Sequence, residues 1–197
     1  WAAVSIKEWL VKTGTKGTIR FYGTPAEEGG SGKVYMVRAG LFGDVDAVLH
    51  WHPSSSNAAN AESSNANKSA KFRFSGISAH AAGSPHKGRS ALDGVEAMNM
   101  MVNMMREHIP QESRIHYVIT KGGLAPNVVP DVAEVYYYVR HPKREKVNEI
   151  FNWVVKASKG AAMGTETTVT HEVMHGNYSK LPNHTLQKIM HKNLVSR

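Results

Sequence analysis

Glu27 and Glu28 are adjacent, preceded by Pro25-Ala26 and followed by the glycine-rich Gly29-Gly30-Ser31-Gly32. Neighbouring side chains at a turn diverge, so one carboxylate can grip a cation while the other handles a proton, the division of labour that metal-assisted hydrolysis needs. An acidic pair in a loop is equally the usual form of a solvated surface, and the pair alone does not choose. Further on, Leu49-His50-Trp51-His52-Pro53 sets two histidines two residues apart, which puts both on one side of a sheet if the segment is a strand. Carboxylate and imidazole form a donor set that zinc, manganese and cobalt share. His52 is the candidate partner of Glu28, whereas His50 fits a packed or hydrogen-bonded histidine within the sheet. The chain has no cysteine, so disulfides and thiolate ligands are excluded and any metal here must use histidine and carboxylate.

The elements that must position these groups read as an α/β alternation. Residues 2–12 bring Val4, Ile6, Trp9 and Leu10 near helical spacing, with Gly14 as the stop. Residues 18–22 (TIRFY) are β-rich and end at Gly23-Thr24-Pro25; residues 33–42 read as a short helix, and 45–51 (VDAVLHW) as a second strand closed by Pro53. Glu27, Glu28 and His52 then fall at strand ends, where α/β folds collect ligands. Residues 54–68 turn to serine, asparagine and alanine with almost nothing to bury, a surface connection.

Beyond it the order is strand (70–76), helix (89–108), strand (114–120), strand (133–140), helix (143–162) and strand (166–174), the ferredoxin-like βαββαβ unit. Leu92, Val95, Met98 or Met100, Val102 and Met105 recur at helical intervals and read as a sheet-facing core stripe rather than a methionine-rich binding surface. Pro182 breaks the chain and Asn183 can cap a last helix through Val195, expected to return to the first piece. The division is therefore a first α/β piece over residues 1–64, a βαββαβ domain over 65–178 and a return helix over 179–197.

Hydrophobic residues make up 41% and charged residues 20% of the 197, an ordinary globular balance that excludes a disordered or fibrous chain. Without an apolar run of about 20 residues or a signal-peptide pattern, a soluble cytoplasmic protein with no membrane role is expected. The net charge of +8 comes from lysines and arginines scattered singly, with no basic run or zinc-finger spacing. That distribution argues against nucleic acid and suits an anionic small substrate.

Four segments in register, PAEEGGSGK, HWHP, GISAHAAGSPHKGRSAL and APNVVPDVAEVYYYVR, together with MHGNYSKLPN near the end, resemble the aminoacylase and carboxypeptidase G-like two-metal peptidases almost from end to end. None of the four is specific alone. The resemblance implies part of a phosphorylase/hydrolase-like zinc-peptidase catalytic domain over 1–64, joined to a lid and dimerisation domain. It implies that Glu27 is the general base, that Glu28 and His52 are metal ligands for a pair of divalent ions, zinc or manganese, and that His80 reaches across a dimer as an oxyanion donor. Asn127 and Arg140 match positions that hold the substrate's carboxylate. A strand-terminal arginine is also commonly a surface ion-pair partner, and His86, His108, His116, His141, His171 and His175 read as structural or exposed.

The implied reaction is hydrolysis of the amide of an N-acyl amino acid, aminobenzoyl-glutamate first, with an auxin-conjugate-like substrate as the alternative. The implied partners are a second copy through the lid and a second hydrolase subunit; a non-catalytic dimerisation module is the competing reading. The family's upstream His-x-Asp motif, bridging ligand and C-terminal histidine have no counterpart in the sequence. Two ligands fall short of the three or four a catalytic zinc uses, so weak or absent metal binding and no hydrolysis by this chain alone are expected.

Overall fold

The computed structural model describes residues 1–196, which form two compact units, Trp1–Asp46 and a second beginning at Ala47. The first unit holds helix α1 (Ala2–Thr13), the single turn α2 (Glu27–Gly30) and helix α3 (Gly32–Arg38). The Arg20 guanidinium grips Asp44 with two hydrogen bonds of 2.6 Å, the Tyr22 hydroxyl donates to the Leu41 carbonyl at 2.8 Å, and the Tyr22 and Phe42 rings lie 4.8 Å apart. The strands expected over 18–22 and 45–51 do not form. Both segments have β-type composition, but a strand persists only when a neighbour satisfies its backbone groups, and among the described residues none pairs with them.

The second unit is built on strands β1 (Ala66–Ser75), β2 (Arg114–Lys121), β3 (Val132–His141) and β4 (Thr168–Asn177), with helices α4 (Ala91–Met104), α5 (Arg144–Gly164) and α6 (His184–Val195). The sheet order is β2-β3-β1-β4 and every pairing is antiparallel, which with α4 and α5 gives the expected ferredoxin-like βαββαβ topology.

The period-2 alternation of the strands sorts the faces. Ala66, Ala70, Phe72 and Phe74 of β1 and Ala133, Val135, Tyr137 and Val139 of β3 turn towards the helices. They meet Val95, Met98 and Val102 of α4 and Val147, Phe151 and Val154 of α5. Burial of each valine, methionine and phenylalanine among them is worth about 1.5–3 kcal/mol, which is what lets this unit hold its own core. Met98 is 0% exposed and Met100 62%, so Met98 completes the α4 stripe. Ser90 caps α4 by accepting from the Asp93 amide at 3.2 Å, and Asn183 caps α6 by accepting from the Leu186 amide at 3.0 Å. The segment before α6 is tied to the connection upstream of β1: the Lys180 amide donates to Ser64 Oγ at 2.9 Å, and within α6 the Gln187 amide group donates to the Asn60 carbonyl.

The other sheet face, opposite the one that α4 and α5 cover, carries Asn67, Ser69, Lys71 and Arg73 of β1, Glu134, Tyr136, Tyr138 and Arg140 of β3, and His175 of β4. No helix among the described residues is long and apolar enough to cross a membrane.

Candidate functional site

Glu27 and Glu28 open the turn α2 and are exposed. The turn is bracketed by two non-glycine residues in the left-handed region, Ala26 at φ 54° and Ser31 at φ 50°. Such conformations cost about 1–3 kcal/mol each and persist where the surroundings impose them. His52 lies in a segment without regular structure, and its Nδ1 is 2.8 Å from the Pro53 carbonyl. A carbonyl can only accept, so Nδ1 carries the proton and the neutral ring keeps its lone pair on Nε2, the way ligating histidines are commonly held.

His80 has the opposite tautomer. The amides of Ala82 and Gly83 donate to its Nδ1 at 3.2 and 3.0 Å, which leaves the neutral ring's proton on the exposed Nε2, a ready donor. Its loop is fixed at the end of β1. Gly76 lets the chain turn there: a Cβ at that position would stand 1.9 Å from the Arg89 carbonyl oxygen. The Ala81 amide then donates to the Asn127 carbonyl at 3.0 Å, the Val129 amide to the Ala79 carbonyl at 2.9 Å, and His80 bridges Val128. Residues 47 positions apart in sequence, His80 and Asn127, are thereby brought together on an exposed rim.

Arg140 is not part of that cluster. It lies near the far end of β3, and the extended strand from Val132 to Arg140 measures about 27 Å. A ligand the size of a dipeptide spans about 7 Å. Asn127 and Arg140 of one chain therefore cannot grip the same carboxylate, contrary to the simplest reading of the sequence. Arg140 is exposed, has no carboxylate within ion-pair reach among the described residues, and lies over the Tyr138 ring at 5.4 Å.

Below Arg140 runs a chain of hydroxyls that sequence reasoning missed. Ser69 Oγ is 3.3 Å from the Tyr136 hydroxyl, Tyr136 donates to Tyr138 at 3.4 Å, and the Tyr138 hydroxyl meets His175 Nε2 at 2.7 Å. Burial, then the neighbouring Tyr136, pushes the Tyr138 phenol up to about 12. Burial, then the positive charge of Arg140, lowers His175 from its ordinary value, which favours the neutral ring. The alternation of Tyr136, Tyr138 and Arg140 is visible in the sequence; that His175 faces them depends on the β1–β4 register, which is not. Towards the other end of this face Glu134, buried, accepts from Arg73 at 2.7 Å and from Thr120 at 2.9 Å.

Glu28 and His52 have the donor chemistry for a zinc or manganese ion, but two donors do not make a catalytic site. Among the described residues no group of three or more histidine, aspartate or glutamate side chains is placed to hold an ion in either unit. The chain's own residues therefore do not fit a complete metal centre.

The chain is 50% identical over 194 residues to one of the subunits of the p-aminobenzoyl-glutamate hydrolase of Escherichia coli (strain K12), covering 98% of this chain and 40% of that protein. It is 34% identical over 165 residues to the Xaa-Arg dipeptidase of Mus musculus, covering 83% of this chain and 38% of that one. It thus spans about two-fifths of the length of these curated relatives. Among solved structures, an aminobenzoyl-glutamate utilization protein from Klebsiella pneumoniae superposes with a TM-score of 0.60 at 24% identity, over 78% of this chain and 40% of that one, a likeness of fold. The model of the peptidase dimerisation domain matches residues 63–166, more than half of the chain and the whole of the split unit through α5, and the chain belongs to that family.

Proposed function

We propose that this chain serves a metal-dependent amidohydrolase that cleaves the amide bond of an N-acyl amino acid, aminobenzoyl-glutamate in the first instance, in the cytoplasm. The observation that carries the reading is the exposed His80 loop, where two backbone amides hold Nδ1 and leave Nε2–H as the donor, on a turn bonded to the Asn127 backbone. An oriented neutral donor of this kind suits the oxyanion that develops when an amide carbonyl is attacked. The 50% identity to the Escherichia coli hydrolase supports the substrate class.

On this reading Glu27 takes a proton from the attacking water and returns it to the departing amine, two steps by one carboxylate. Glu28 and His52 would each supply one metal ligand in the whole enzyme, where the ion would provide electrophilic activation. His80 and Asn127 act on the site of a second copy, and Arg140 receives a carboxylate at its own. The length of β3 supports sharing between copies, because one small substrate does not reach both ends of the sheet. The edge strand β2 and the exposed Met100 and Met104 of α4 form the apolar strip through which the copies join. A second hydrolase subunit is a further partner of the whole enzyme. Replacing Glu27 by Ala in the enzyme carrying this chain is expected to lower kcat by about 100-fold or more, the scale of general acid–base catalysis. Unchanged turnover removes the base assignment.

A further inference from the structure

We infer that Tyr138 and His175 are positioning residues for Arg140, holding its guanidinium above the open sheet face in the orientation that receives a carboxylate. The inference rests on the proposed role of Arg140. A guanidinium without an ion-pair partner on a long side chain has wide rotamer freedom, and a ligand that engages it must freeze that freedom. What narrows it here is the face of Tyr138, 5.4 Å below the guanidinium carbon. Stacking of this kind is a use that arginine's planar cation favours.

The ring can only do this if it is itself fixed. The Tyr136 ring packs against it at 5.2 Å and 58°, and the His175 ring meets it edge-on at 5.1 Å and 66°. His175 stands on β4, paired with Ser69 of β1, and Ser69 pairs with Tyr138, so the imidazole reaches across one whole strand to the hydroxyl. Tyr136 donates to Tyr138, and the Tyr138 hydroxyl shares a hydrogen bond with His175 Nε2 whose direction follows the imidazole tautomer. His175 Nδ1 is buried with no partner among the described residues. An unpaired buried ring nitrogen costs stability, so packing alone would favour an apolar residue at 175; the Nε2 contact with the hydroxyl is what the histidine adds. A neutral imidazole also spares Arg140 a second positive charge on the same face.

The test is steady-state kinetics with an aroyl-glutamate in the enzyme carrying this chain, with circular dichroism to establish that each variant is folded. Tyr138→Leu is expected to raise KM about two- to five-fold, the equilibrium worth of one partly exposed cation–π contact, while kcat holds. Tyr138→Phe, a milder change that frees the ring without removing it, and His175→Leu are expected to move KM in the same direction. His175→Gln, which keeps a polar partner for the hydroxyl, is expected to rescue it, and Tyr138→Leu adds nothing in an Arg140→Ala background. If Arg140→Ala leaves KM unchanged, the role of Arg140 fails and this inference with it. If Arg140→Ala raises KM while the Tyr138 and His175 variants do not, or if the Tyr138 effect survives undiminished without Arg140, positioning alone is overturned.

Discussion

Replacing Glu134 by Gln removes a buried charge that ties three strands together with little change of shape. The carboxylate is 2% exposed on β3, accepts from Arg73 of β1 at 2.7 Å and from Thr120 of β2 at 2.9 Å, and has Lys71 Nζ at 3.5 Å. Removing one partner of a fully buried pair costs about 3–5 kcal/mol. The Arg73 side chain is 53% exposed and recovers water when its partner goes, so the cost falls to about 1.5–3 kcal/mol, the worth of a hydrogen bond to a charged group. That corresponds to about 3–12 °C in Tm for a domain of this size.

The pH dependence gives the stronger check. Burial opposes ionisation of Glu134, but the hydrogen bonds from Arg73 and Thr120 and the charges of Lys71 and Arg73 outweigh it, and the carboxyl is held below the usual glutamate range. Its contribution is therefore fully present above the unfolded-state value and lost as pH falls through the folded one. In urea denaturation followed by circular dichroism, the gap between wild type and Glu134→Gln is expected to be widest at neutral pH and to close in acid. Equal midpoints at neutral pH, or a gap that stays constant into acid, refute the reasoning.

Two further outcomes are expected. Gly94→Ala places a Cβ 2.5 Å from Phe74 Cδ1 and 3.0 Å from Thr167 Oγ1, so α4 must lift from the sheet. Overpacking of about 1–3 kcal/mol exceeds the helix-propensity gain of about 1 kcal/mol; the thermal midpoint falls, and a rise would show that α4 does not approach β1 this closely. Met104→Asp puts a charge on the exposed strip beside β2 and is expected to weaken self-association by tenfold or more, on the order of one hot-spot side chain, as read by light scattering; an unchanged mass moves the interface elsewhere.

Much of the second unit was legible in the sequence because its cues are local and agree. The Val95–Met98–Val102 spacing marks the buried stripe of α4, Asn183 announces a helix start, and the alternation through 133–140 places Val135, Tyr137 and Val139 on one face and Tyr136 and Tyr138 on the other. The segments 18–22 and 45–51 carry equally good β composition and form no strand, because composition expresses a local preference whereas a ladder needs a second chain segment at the right register. The candidate site divides along the same line. That His80 lies in a loop after β1 was readable; that its Nδ1 is occupied by the Ala82 and Gly83 amides, and that it touches the Asn127 loop, depends on how two turns meet. The separation of Asn127 from Arg140 was readable all along, since a strand over 133–140 already sets them at opposite ends of a sheet.

That separation joins two readings that the sequence held apart. An assembly module and a catalytic lid look like alternatives when the domain is taken as a single copy, because the donor rim at His80 and the guanidinium at Arg140 then belong to different places. With a strand of about 27 Å between them and a substrate of about 7 Å to hold, the two ends serve one reaction only if another copy supplies the missing end. The core of the second unit is closed by α4 and α5, whereas the edge of β2 and the methionines beside it remain uncovered. Its rigidity is what the proposed sharing requires: a donor presented to a neighbour must be held by its own fold, and the paired amides behind His80 and the Tyr138–His175 contact beneath Arg140 each hold a side chain from behind, within the same unit.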